Sequence, residues 1–183
     1  MVLGEIPRRV YFISAYRNKD SRLLSTMNIK TELGRLSLRM EREAIDRFIE
    51  LNPDYSFMET PKGRYAALDG TLCADGEIRG VVEVKTRNMT RAKMRDVFKD
   101  TWLLSMDKLE AGKAASMILQ VPFVGILYLL PEKITLMLTI TDERGNWLFD
   151  FEKKKTITME NVNGGEAERL NAFLPLKTAK EYT

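Results

Sequence analysis

Glu83 and Lys85 lie two positions apart in Gly80-Val81-Val82-Glu83-Val84-Lys85-Thr86-Arg87, a stretch otherwise dominated by valine. β-Branched residues favour a pleated, largely buried strand. Alternate side chains of a strand leave on the same side, so a carboxylate and an ammonium project together from an apolar segment. Charges in such a place must be paired or hold a metal, because burying them alone is costly. Upstream, Tyr65-Ala66-Ala67-Leu68-Asp69-Gly70-Thr71-Leu72 reads as a second strand, and Asp75-Gly76 supplies the turn between them. An antiparallel hairpin of this kind brings Asp69 beside Glu83.

The chain contains no histidine and a single cysteine, Cys73. Histidine-based nucleophilic and metal sites are thereby excluded, as are an intrachain disulfide and a cysteine-based zinc site. Hydrolytic chemistry here has to run on carboxylates, lysine, hydroxyls and a hard metal ion, which prefers oxygen ligands.

The elements that would position these groups can be read from periodicity. Residues 29–51 are helical in pattern, with Ala44, Ile45, Phe48 and Ile49 on the inward stripe. Asn52-Pro53 ends the helix, and Pro53-Asp54 reads as a stop and turn. Glu41 falls on the core-facing stripe, whereas Glu43 shares the wet side with Arg47 and Glu50. A second helix is expected over 97–119, with Leu104, Lys108, Ala111, Ala115 and Leu119 on one face. Lys108 is therefore another charge on an inward stripe. The run 121–130 is almost wholly apolar and reads as a central strand covered on both faces. Strand, helix and buried strand then form a right-handed β-α-β crossover.

Asp69 followed by Glu83-Val84-Lys85 on the neighbouring strand, with Glu41 on the preceding helix, resembles the active site of the PD-(D/E)XK nuclease superfamily. The likeness covers about residues 30–130 and is to its small stand-alone members, of the phage and mobile-element kind. It implies an α/β fold with a restriction-endonuclease-like core: a mixed central β-sheet flanked by helices in αβββαβ order. It also implies a Mg²⁺ ion, with Mn²⁺ as substitute, held by Asp69, Glu83, the carbonyl of Val84 and Glu41. Lys85 would orient or help deprotonate the attacking water, and Lys108, with Lys113 as second choice, would contact the scissile phosphate. The basic stretch Arg87, Arg91, Lys93 and Arg95 adjoins this edge and suits a DNA partner, since phosphate neutralisation supplies much of such affinity. Two alternatives keep the same fold. One is a Holliday-junction resolvase acting as a homodimer, which branched substrates would reveal. The other is a non-catalytic DNA-binding protein, which the carboxylates near phosphate argue against.

The rest of the chain reads as part of the same unit. At 183 residues with a net charge of +3, a single soluble domain with one core is expected over 1–183. Val10-Tyr11-Phe12-Ile13 reads as a short strand and residues 17–22 as a polar loop. Residues 131–183 are expected to add a C-terminal β-hairpin and a short helix. In the hairpin Ile134, Leu136, Leu138 and Ile140 face Trp147, Phe149 and Phe151 across the turn 142–146; the helix runs from Glu166 to Phe173. Lys153-Lys154-Lys155 reads as a small basic run that could touch phosphates, though such runs are more often merely exposed, and Asn163-Gly164-Gly165 as a flexible turn. No segment is apolar enough to span a bilayer, and the lone cysteine fits a reducing, cytoplasmic setting.

Overall fold

The structure, a computed structural model, describes residues 32–61, 66–159 and 166–183. The expectations for residues 10–13, 17–22 and 163–165 lie outside them. In chain order the elements are α1 (Glu32–Leu51), β1 (Ser56–Glu59), β2 (Gly70–Ala74), β3 (Glu77–Arg87), α2 (Arg91–Asp96), β4 (Thr101–Ser105) and α3 (Met106–Leu119). There follow β5 (Phe123–Leu129), β6 (Ile134–Thr141), β7 (Glu152–Met159), β8 (Glu166–Pro175) and β9 (Lys180–Tyr182). The fold is mixed α/β. A six-stranded sheet runs β1-β2-β3-β5-β6-β9, and a three-stranded sheet runs β4-β8-β7.

The valine pattern of β3 and the unbroken apolar run of β5 place these two strands at the centre. They pair in parallel, with Glu83 opposite Gly125 and Val84 opposite Ile126, so the chain crosses over between them through α2, β4 and α3. Strand alternation then sorts the core into two layers. Val82, Val84, Ile126 and Tyr128 pack with Ala44, Ile45 and Phe48 of α1. Val81, Phe123, Leu127 and Leu129 pack with Leu109 of α3 and with Trp102, Leu104, Ala172 and Leu174 of the smaller sheet. Each fully buried side chain of this size contributes about 1.5–3 kcal/mol. The second layer thus ties both sheets into one core. Close approach explains two glycines: a Cβ at Gly112 would overlap the Phe123 ring, and one at Gly125 would overlap Trp102.

Helix α1 ends where expected, with Asn52 Nδ2 donating to the Phe48 carbonyl at 2.8 Å. The helix expected over 97–119 is instead divided. Lys99 and Asp100 have positive φ, 52° and 55°, which stops α2 and its trailing turn. Trp102 and Leu104 then alternate with half-buried neighbours as strand β4. Only from Met106 does the chain become helical. The inward face of α3 is Met106, Leu109, Gly112 and Ser116, while Ala111 and Ala115 are half-buried and Leu119 is exposed. The expected strand beginning at 65 starts later, at Gly70, although Asp69 N still donates to Val82 O at 3.1 Å.

Beyond residue 131 the outcome differs more. The turn at 142–146 forms, pinned by Asp142 Oδ1, which accepts from Arg144 N and Asn146 N at 3.0 and 2.8 Å. The aromatic residues after it do not make a hairpin strand. A single bridge joins Thr141 to Trp147, after which Trp147, Phe149 and Phe151 stack edge to face and pack against the core. The edge of β6 is taken by β9 instead. The expected helix at 166–173 is strand β8, because pairing on both sides, with β4 and with β7, outweighs the helical preference of Glu-Ala-Glu-Arg-Leu.

Candidate active site

The geometry of the site follows from the end of β2. There Asp69 sits opposite the β3 segment that carries Glu83, Val84 and Lys85. Its Oδ2 accepts a hydrogen bond from Val84 N at 2.8 Å, which fixes the carboxylate against the strand. Glu83 is fully buried, and two lysines meet it. Lys108 Nζ, from the first turn of α3, donates to Glu83 Oε2 at 3.0 Å. Lys85 Nζ lies 2.6 Å from Glu83 Oε1, off the direction a well-formed hydrogen bond to that oxygen needs, so the contact is chiefly Coulombic. The same ammonium donates to Val84 O at 3.0 Å and lies 4.0 Å from Asp69 Oδ2.

The expected ligand oxygens of Asp69, Glu83 and Val84 therefore gather around one cation, which here is the ammonium of Lys85. A donor set of two carboxylates and a peptide carbonyl has the all-oxygen chemistry that suits magnesium or manganese. Burial by itself would pull the Lys85 ammonium down. The carboxylates of Glu83, Asp69 and Glu41 outweigh that and hold its pKa above the ordinary lysine value. Lys85 is thus a persistent cation rather than a ready proton acceptor.

Glu41 joins Asp69 and Glu83 in the electrostatic field at Lys85. It belongs to α1, on the face of the sheet packed with Val82 and Val84. Glu83 emerges on the α3 side, where Lys108 reaches it. Among the described residues no three acidic side chains come together as a metal-holding group. The Lys85 ammonium contacts two carboxylates and a carbonyl, with Glu41 adding its charge to the field there. Lys113 is directed elsewhere, its Nζ 5.1 Å from the Trp147 ring centre.

The basic stretch divides among different tasks. Arg87 Nη1 donates to Thr86 O at 2.9 Å, and burial lowers its pKa. Arg91 opens α2 and pairs with Asp100 and with Glu181, the latter at 2.9 Å. Donation to the Asp100 carboxylate is the main reason its guanidinium is held above the usual value. It works as a clamp between α2, the turn before β4, and β9. Arg95 pairs with its neighbour Asp96 at 3.1 Å in the open. Lys93 is exposed, and among the described residues neither it nor Arg87 forms an ion pair with a carboxylate.

No protein-family model matches the chain, and no curated protein or solved structure is significantly similar to it. The site has to be judged on its own geometry.

A cleft of about 650 Å³ opens along α1 beside Tyr128 of β5, lined by Arg39, Glu43, Arg47, Glu50, Tyr128 and Lys133 among others. None of the Asp69, Glu83, Lys85 and Lys108 cluster lines it. Tyr128 donates to Glu43 Oε1 at 3.1 Å there, a contact invisible in the sequence because the two residues lie on different elements. Cations and anions alternate along this cleft, so it lacks the one-signed field expected of a phosphate site.

Proposed function

We propose that this protein is a metal-dependent nuclease of the PD-(D/E)XK type that hydrolyses phosphodiester bonds of DNA. The observation that carries the reading is the ring of oxygens from Asp69, Glu83 and Val84 around a single cation, with a second lysine on the far oxygen of Glu83. The order α1, β1–β3, α3, β5 supports a restriction-endonuclease-like core, with α2 and β4 inserted in the crossover. Magnesium or manganese bound by Asp69, Glu83 and the Val84 carbonyl would supply water activation and charge neutralisation at the phosphorus.

The side chains of the chain itself do the positioning. The Val84 N–H holds Asp69 in place, so its carboxylate needs no reorganisation when a substrate arrives. Lys108 fixes the rotamer of Glu83 from the opposite side. Lys85, kept protonated by its acidic surroundings, offsets charge that builds on the phosphate and orients water by donating to it. Its raised pKa favours these tasks over proton abstraction.

The test is direct. Purified protein is incubated with linear, nicked, branched and single-stranded DNA in magnesium, in manganese and in EDTA. Cleavage that requires the metal and disappears in Asp69→Asn and Glu83→Gln supports the reading. Cleavage undiminished in both variants, or no cleavage of any substrate by the parent protein, overturns it. Preferential cutting of branched DNA would direct attention to junction resolution.

A further inference from the structure

The lysine triplet at 153–155 reads in the sequence as a solvated run or a phosphate contact, and the second sheet gives it an address. Ser105 pairs with Asn171, and Asn171 pairs with Lys154; one step along, Leu104 pairs with Ala172 and Ala172 with Lys153. Neighbouring strands are about 4.8 Å apart, which puts the Lys154 backbone roughly 10 Å from Ser105. Ser105 is the N-cap of α3, and Lys108, in the first turn of that helix, is the residue in contact with Glu83. The triplet therefore lies beside the end of the helix that enters the candidate active site.

β7 is also an edge strand, paired with β8 on one side only. All three lysines are exposed. Lys155 pairs with Glu168 at 3.0 Å, with both side chains mostly in solvent, an arrangement worth little. Lys153 rests over the Phe151 ring at 5.6 Å, and Lys154 has no ion pair among the described residues. Glu152 and Glu168 are the described acids along this strip; Arg169, on β8, adds a further cation. Lys153 and Lys155 leave on the same side of the strand, roughly 6.7 Å apart, a separation close to that of successive phosphates along a nucleic-acid strand.

We propose that the β7 edge is a docking strip for the DNA backbone, holding phosphates beyond the one addressed at Glu83. The choice of partner rests on the nuclease reading, while the strip itself is defined by register and exposure. Its function is positioning: it sets affinity and orientation without touching the reacting atoms.

Binding rather than turnover tests it. Asp69→Asn protein, without metal, is titrated against a fluorescent DNA duplex over a salt series, and anisotropy is recorded. Adding Lys153→Gln and Lys155→Gln should weaken binding roughly tenfold at low salt and reduce the slope of log K against log salt by about two. The same loss of charge at Arg39→Gln and Lys133→Gln should change both far less. Equal effects from the two pairs would mean net charge alone matters, and would overturn the strip. So would failure of the parent protein to bind duplex, or displacement of the duplex by polyglutamate as readily as by unlabelled DNA. If wild-type protein binds through β7 yet cuts nothing, the strip stands and the catalytic reading falls.

Discussion

The Glu83 site and the β7 edge both gather lysines, and they differ in what surrounds those lysines. At Glu83 each ammonium has a named oxygen partner: Lys85 has Glu83, Val84 and Asp69 within 4.0 Å, and Lys108 has Glu83 at 3.0 Å. At β7 three consecutive lysines face water, with one exposed ion pair among them. Arg91, half-buried like Lys85 and Lys108, is engaged with Asp100 and Glu181 instead. Basic residues that look alike in the sequence therefore do different work. The half-buried lysines hold the site together, the half-buried arginine clamps elements, and the exposed lysines of β7 are open to a partner.

The strongest way to break this comparison is Glu83→Ala. It leaves two lysines at a site from which the shared carboxylate has gone, and the expected loss is about 3–5 kcal/mol of stability, read as a fall in the urea midpoint. Cleavage should vanish with it. A loss of stability below about 1 kcal/mol would show that Glu83 is not the anchor of the cluster. Asp69→Asn separates chemistry from folding, because the amide keeps an oxygen for the Val84 N–H. Its expected effect is a drop of roughly a hundredfold or more in cleavage with the midpoint little changed.

Lys85→Met sharpens the comparison from the other side. Its ammonium sits among the oxygens that would hold a divalent ion, and like charges repel. Removing it should tighten Mn²⁺ binding, measured by electron paramagnetic resonance, while slowing cleavage. Unchanged or weaker Mn²⁺ binding would show that Lys85 and the metal do not compete. Arg91→Met should lower stability by about 1 kcal/mol and leave duplex affinity intact, the reverse of what is expected at β7.

The smallest effect is expected at high pH. Burial first, and the hydrogen bond to Glu43 second, raise the Tyr128 pKa from 10.0 to about 12. The unfolded chain then loses its phenolic proton before the folded one, so the stability linked to this group is complete below pH 10 and declines as pH approaches 12. Lys85, also raised, acts in the same direction, its contribution being lost as pH rises above the ordinary lysine value of 10.5. Thermal melts of wild-type and Tyr128→Phe across this range should converge in the variant's favour as pH increases.

The sequence by itself determined the centre of the molecule. Valines flanking Glu83, an all-apolar run at 123–129 and the stripe of Ala44, Ile45 and Phe48 each fit one kind of element. Local pattern and tertiary burial agree at those positions. The same signals singled out Glu83 and Lys85, because charges within apolar periodicity are conspicuous, whereas Lys108 reaches Glu83 from a helix whose inward face is Met106, Leu109, Gly112 and Ser116. What the tertiary structure decided lay where local preference is weak or opposed. Trp102 and Leu104 fit a helical stripe or a strand equally well until β8 pairs with them, and Glu166–Pro175 has a helical start that two neighbouring strands override. Glu41 was legible as an inward-facing acid, but which face of the sheet its helix covers depends on packing between elements far apart in the chain. The lysines at 153–155 acquired their position in the same way. Register across three strands, set by long-range pairing, brings them to the end of α3.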